Sequence, residues 1–288
     1  MTSTDAHSYL AIDMGGSKTR LGLFSSLDTP EFTLLGTFPT QSSYVDQLEH
    51  IGTVLRTQNI GTLAGAGVSA GARVAKDGRS LVFGPNFPEY LHQPLAADLE
   101  ERLGCPVRLG HDTVCGLLGE RRFGALRASE RAAYLTLSTG TGAAIQLGKG
   151  ATTLLSSIEF GHQVLDDNER LCLCGQIGCL ETFTGGRQVE LRYGRSIADF
   201  ADDSFWQVFS SKLAAGLLNL ALLTRIDVVA VSGAIALENA FLLAMMQEKV
   251  DSLLKWGNLR LVQADLGTHA PLIGAASLLA VPEEMLLH

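Results

Sequence analysis

One histidine and three cysteines, His162, Cys172, Cys174 and Cys179, stand close together in the chain, with Glu159 just before them and Glu181 just after. Thiolates and an imidazole are the donors that zinc takes in closed tetrahedral sites, and four protein ligands leave no position for water. The spacing therefore predicts a structural zinc ion on these four residues. Gly175 and Gly178 would let the loop turn back on the ion. A bound ion would also fix Glu159 and Glu181 in space, and carboxylates that accept from two or more hydroxyls at once suit a polyhydroxyl substrate. Two alternatives stay open: a redox pair among the thiols, and glutamates that are only surface charges. Asp166, Asp167, Glu169 and Arg170 read as solvated loop charges.

A second kind of chemistry sits nearer the start. Asp13-Met-Gly-Gly-Ser-Lys18 lies between two strand-like runs, Tyr9–Asp13 and Thr19–Phe24. Strand, glycine turn, strand is a hairpin, whereas a P-loop or dinucleotide fingerprint needs a helix after its glycines, so both are excluded. Backbone N–H groups in tight turns make anion-binding concavities, and glycine lets a phosphate come close. Asp13 beside a phosphate requires a cation between them, typically Mg²⁺. Ala133–Ser138, Thr139-Gly-Thr-Gly142 and Ala143–Leu147 repeat the pattern as a weak internal duplication. Ordinary hairpins also need glycine, yet two such turns rich in Ser and Thr point to nucleotide phosphates. Gly110-His111-Asp112 ends a strand and opens a helix. There Asp112 could take a proton from a substrate hydroxyl within hydrogen-bond reach, or serve as a plain helix N-cap.

The elements that must position these residues alternate. Helices are expected over Tyr44–Arg56, Pro94–Arg102, Thr113–Arg122, Asp203–Thr224, Glu238–Leu254 and Pro271–Ala280. Strands are expected at Leu63–Val68, Val107–Leu109, Asp227–Val231 and Leu259–Val262, with a glycine- and proline-rich loop from Gly71 to Pro88. The class is α/β with mixed sheets. A length of 288 residues allows one large domain or two lobes. No linker separates the halves, so two lobes sharing a cleft are expected, 1–112 and 113–288, with the final helix, about 271–281, packing back on the first.

Composition narrows the partners. A hydrophobic share of 46% excludes disorder. The longest apolar runs, Leu213–Leu223 and Val228–Leu237, are about half the ~20 residues of a membrane span. Met1–Ser8 is too polar for a signal peptide, so the expectation is a cytoplasmic protein without a membrane partner. A net charge of −8 without a basic cluster speaks against nucleic acid. Five cysteines cannot all pair, and a reducing compartment suits metal ligation by three of them. Cys105 and Cys115 then read as small core residues.

Together these motifs resemble the ROK sugar kinases, within the actin/hexokinase/Hsp70-like ATPase superfamily, from about Tyr9 to Ala280. Asp13–Lys18 is similar to the family's first phosphate motif and Leu137–Gly142 to its second. Glu159-x-Gly-His162 with Cys172-x-Cys174-Gly-x-x-Gly-Cys179-x-Glu181 matches the family signature at every ligand position. The resemblance implies a two-lobed actin/hexokinase-like (ribonuclease H-like) fold with an interlobe cleft. It implies glucokinase-like transfer of the ATP γ-phosphoryl group to a hexose, usually at O6. Asp112 would be the catalytic base, and Asn86, His111, Asp112, Glu159, His162 and Glu181 would meet the sugar. Asp13, Gly15, Gly16, Ser17, Lys18, Thr139, Gly140, Thr141, Gly142 and Gly233 would lie around ATP and Mg²⁺. The resemblance also implies a homodimer.

The family carries Asn before the catalytic Asp; here it is His111, whose neutral ring also donates and accepts but is bulkier. Val231-Ser-Gly-Ala234 has fewer glycines than the family's adenosine-side turn. Other expectations are an N-acetylhexosamine or other hexose kinase, and a sugar-binding regulator. The family's repressors carry a helix-turn-helix before the first strand, for which Met1–Ser8 is too short.

Overall fold

Each glycine hairpin seeds its own sheet. The computed structural model describes residues 8–58, 60–165 and 169–287; Met1–His7, Asp166 and Asp167 lie outside the described residues. In chain order come β1 (Ser8–Met14), β2 (Lys18–Phe24), β3 (Thr33–Pro39), α1 (Tyr44–Arg56), β4 (Leu63–Ala70), β5 (Arg73–Val74), β6 (Leu81–Phe83), α2 (Leu95–Leu103), β7 (Val107–His111) and α3 (Asp112–Phe123). Then follow β8 (Arg131–Leu137), β9 (Thr141–Leu147), β10 (Leu154–Ile158), α4 (Glu181–Thr184), α5 (Gly186–Tyr193) and α6 (Asp203–Thr224). The chain continues through β11 (Val228–Ser232), α7 (Ala234–Glu238), α8 (Ala240–Leu253), β12 (Arg260–Gln263) and α9 (Ala270–Leu278).

The chain forms two units. One comprises Met1–Phe123 and His269–His288, the other Gly124–Thr268. The division falls after Phe123 and not at 112, because α3 packs on α9 inside the first unit. In the first unit the strands run β3-β2-β1-β4-β7, and in the second β12-β11-β8-β9-β10. Both follow one scheme: three consecutive strands pair antiparallel, the first of them pairs in parallel with a later strand, and that strand pairs in parallel with another. The second hairpin thus repeats the first in topology as well as in sequence.

Local signals set the helix ends. Ser43 accepts from the Asp46 N–H at the start of α1, and Gly104, left-handed at φ 66°, ends α2. The expected helix Glu238–Leu254 is broken at Asn239, whose side chain donates to the Ile235 carbonyl and whose backbone leaves the helical region. α6 is long and apolar enough by length and composition to cross a membrane, which the apolar runs alone did not show. Its Trp206, Phe209, Leu213 and Leu217 are buried in the core of the second unit, which is the work of a core helix.

α9 makes the closest approach in the first unit. A Cβ on Gly67 of β4 would lie 1.8 Å from the Ala275 oxygen, and one on Gly274 would lie 1.6 Å from the Cys115 oxygen. Backbone therefore meets backbone on both sides of α9. Arg108 donates to the carbonyls of Leu278 and Val281 and so holds the far end of the same helix. The start of α3, where Asp112 sits, depends on this packing. Gly274→Ala should cost about 3 kcal/mol by forcing the two helices apart, read as a lower midpoint in urea unfolding; an unchanged midpoint would mean that α9 adjusts freely.

Candidate active site

Strand register places the first cluster. Asp13 lies opposite Arg20 on β2 and beside Ser69 on β4, and Ser69 lies beside Gly110 on β7. The next row holds Thr19, Met14, Ala70 and His111. These rows end the parallel strands, where open α/β sheets bind ligands. Arg20 donates to Asp13 Oδ2 through Nη2 at 2.6 Å and Nε at 3.1 Å, and the Ser69 hydroxyl donates to Oδ1 at 2.8 Å. Burial pushes the Asp13 carboxyl up, and Arg20 and then Ser69 oppose that push. Asp13 was expected to face a cation. The structure already gives it one, the Arg20 guanidinium.

The turn after Asp13 is tightly closed. The Gly15 N–H donates to the Lys18 oxygen at 3.0 Å, and the Thr40 hydroxyl donates to the Gly15 oxygen at 2.7 Å. Gly16, Ser17 and Lys18 are exposed on the turn. Asn86 stands against it, for a Cβ on Gly16 would lie 2.9 Å from the Asn86 amide. Asp112 is the first residue of α3, not the residue before it, so the capping role passes to its neighbour. The Thr113 N–H donates to His111 Nδ1 at 3.3 Å. Asp112 Oδ1 lies 3.0 Å from the same nitrogen. A Cβ on Gly71 would lie 3.5 Å from Asp112 Oδ2, and the Gly71 N–H donates to Met14. The first unit thus gathers Asp13, the Gly15–Lys18 turn, Asn86, His111 and Asp112.

The second unit gathers the remaining expected residues. The Thr141 N–H donates to Glu181 Oε2 at 2.8 Å, so an amide expected to face phosphate is committed to a carboxylate. Thr141 and Thr184 share a hydroxyl–hydroxyl bond of 2.8 Å, while Gly186 and Arg187 donate to Ser138 and Thr139. A Cβ on Gly161 would lie 2.3 Å from the Thr141 oxygen, which presses the Glu159–His162 turn onto the hairpin. Gly233, at φ 90°, abuts Leu137 at the end of β8, next to the same hairpin. Glu159 is exposed, with Oε2 3.9 Å from His162 Nε2.

The other imidazole nitrogen, His162 Nδ1, lies 3.7 Å from Cys172 Sγ, and Cys174 Sγ lies 3.7 Å from Cys179 Sγ. All four donor atoms fall within 4.8 Å of one another. Metal–sulfur bonds of about 2.3 Å in a tetrahedron give edges near 3.8 Å, so the donors already stand at coordinating separation. Burial pushes the Cys172 thiol up to about 12 and also raises Cys179. Gln188 donates to Cys172 Sγ and Gln176 to Cys179 Sγ, contacts that suit thiolates. Sequence reasoning missed both glutamines, along with Arg20, Ser69 and Thr184. Arg20 was within reach, since a closed Gly15–Lys18 turn puts it opposite Asp13. Arg170 is not a solvated charge, because its guanidinium stacks 3.6 Å from the centre of the Phe183 ring.

The Arg20–Asp13 pair is nearly buried, with side chains 11% and 9% exposed. Arg20→Met should cost about 3–5 kcal/mol by stranding a carboxylate, and adding Asp13→Asn should recover part of it. Urea unfolding of the single and double variants measures both; equal losses would show no coupling.

The ROK family model matches residues 9–281. The glucokinase of Streptomyces coelicolor is 25% identical, with 96% of this chain and 99% of its own aligned. The xylose repressor of Bacillus subtilis is 26% identical over 83% of this chain and 66% of its own. A ROK family glucokinase from Streptomyces griseus, solved in complex with glucose and AMPPNP, superimposes with a TM-score of 0.77 at 24% identity, over 94% of this chain and 98% of that one. The fold is therefore that of the ROK hexokinases. With a family match across both units and their paired glycine hairpins, the chain belongs to the ROK family.

Proposed function

We propose that the chain is an ATP-dependent hexose kinase of the glucokinase type, transferring the γ-phosphoryl group to the O6 hydroxyl of a glucose-like sugar in the cytoplasm, as a homodimer. The observation that carries this reading is Asp112, an ionisable carboxylate at the strand ends of the sheet that bears the Gly15–Lys18 turn. A sugar-binding regulator needs sugar contacts but neither a base nor a phosphate turn. The glucokinase relative supports the kinase; the repressor relative keeps the regulator as the second reading.

In the proposed step Asp112 accepts the hydroxyl proton while that oxygen bonds to the γ-phosphorus. The bond from γ-phosphorus to the β–γ bridging oxygen breaks, and ADP leaves. Such transfer is mostly positioning and charge stabilisation. Gly15, Gly16, Ser17, Lys18, Thr139, Gly140, Gly142 and Gly233 are assigned to the nucleotide. Glu159, His162 and Glu181, with Asn86 and His111, are assigned to sugar hydroxyls. Thr141 serves by holding Glu181. Mg²⁺ carried by ATP would draw charge from the phosphates. Asp13 Oδ1, which accepts from Ser69, keeps a second lone pair for a hydrated cation.

His162 Nδ1 and the thiolates of Cys172, Cys174 and Cys179 would hold a structural zinc ion, whose binding energy would hold the loop from Glu159 to Glu181 in shape. The carboxylates at its two ends would then be set for the sugar.

Asp112→Asn should lower turnover by roughly 10²–10⁴-fold, the worth of a general base, while calorimetry still detects sugar binding. ADP release across a panel of hexoses measures it. No release above background with any hexose would hand the chain to the regulator reading. Elemental analysis should give about one zinc per chain. Cys174→Ser should lose it and weaken sugar binding by about 10–100-fold, with little change in the KM for ATP. Active protein free of zinc would rule the metal out.

A further inference from the structure

His111 Nδ1 stands among three groups: Asp112 Oδ1 at 3.0 Å, the Thr113 hydroxyl at 2.8 Å and the Thr113 N–H at 3.3 Å. An imidazole nitrogen carries either a lone pair or a proton. With a lone pair, Nδ1 accepts the Thr113 N–H and caps α3. With a proton, it donates to Asp112 Oδ1. The two bonds exclude each other.

We propose that His111 and Asp112 form one proton-accepting pair, in which His111 is the positioning residue that sets the pH below which Asp112 no longer takes the sugar hydroxyl's proton. The proposal rests on the kinase reading. While His111 is neutral with its proton on Nε2, its Nδ1 lone pair serves the helix and the Asp112 carboxylate is left to the substrate. Once protonated, His111 ties up Oδ1 in a charge-assisted bond and makes Asp112 a weaker base. The family's Asn at this place has no such state, so the dependence belongs to this chain. Among the described residues, the ionisable groups coupled to Asp112 include Asp13 on β1, already neutralised by Arg20 on β2, and the buried thiol of Cys115 on α3. Burial holds that thiol protonated. Neither replaces His111 as the group that titrates beside Asp112.

The test is kcat/KM for the hexose between pH 5 and 9 in the wild type, H111N and D112N. The wild type should fall about tenfold per pH unit below a midpoint in the imidazole range, about 6–7. In H111N the midpoint should drop by at least one unit, toward the carboxylate range near 4. Titration of the nucleotide phosphates is common to both enzymes and cancels in the comparison. A shared acid limb would overturn the proposal, since a His111 that only touches sugar shifts KM without moving the midpoint. Should H111N fail to fold, an NMR titration of the His111 ring decides in its place. Its midpoint should fall by at least half a unit from wild type to D112N, and an unchanged midpoint overturns the proposal. Near-wild-type turnover in D112N is a separate outcome that defeats Asp112 as the base.

Discussion

A carboxylate at the end of a buried strand has to be neutralised where it stands, and the first unit is organised around that demand. Asp13 is almost wholly removed from water, so its cation comes from the strand opposite and its second donor from the strand beside it. Those two partners tie β1 to β2 and β4 in a single register. A slip of one residue would turn Asp13 to the other face of the sheet and leave it unpaired. Because β4 in turn fixes β7, the same register sets Gly110, and with it the point where the chain turns into α3. The position of Asp112 is therefore a consequence of how Asp13 is satisfied.

The second unit solves a different problem. Glu159 and Glu181 enter from a long excursion between β10 and β11, whose described residues carry the isolated bridges Val164–Cys179 and Leu171–Ile177 but no ladder of strand hydrogen bonds to hold them in place. Three devices do so in its stead. The Gly161 turn lies flat on Thr141, Glu181 accepts the Thr141 N–H, and the four sulfur and nitrogen donors in the middle of the loop stand within 4.8 Å of one another. A shift at the cysteines reaches Glu181 within two residues of Cys179. A metal there would act on the site through backbone, not through long-range fields.

Sequence reading succeeded where one residue type has few reasons to occur. The α1 and α6 limits match the structure residue for residue, since their apolar faces and caps are unambiguous. The His and three Cys were found because their spacing has little other use. The strands β3 and β10 were not anticipated, since both are partly exposed and lack a long run of apolar residues. α4 and α5 escaped because they are brief and their start is dominated by glycine. Partners such as Arg20 and Thr184 escaped for another reason: a side chain that satisfies a neighbour carries no periodic signal, and only register reveals it.

The repeated topology shows how the two units diverged. The place of Asp13, Arg20 and Ser69 in the first sheet is taken in the second by Thr136, Gly142 and Ser232. The serine recurs, buried in both, while the ion pair does not. The first sheet carries its charge on the strand itself, where register alone sets its position. The second sheet is neutral at that row and acquires its carboxylates from an inserted loop. A loop-borne carboxylate has no register to inherit, so a metal held by the cysteine cluster would serve the second unit as a cross-link that the first has no need of. One strand scheme thus yields two ways of placing a carboxylate, and the chain uses each once.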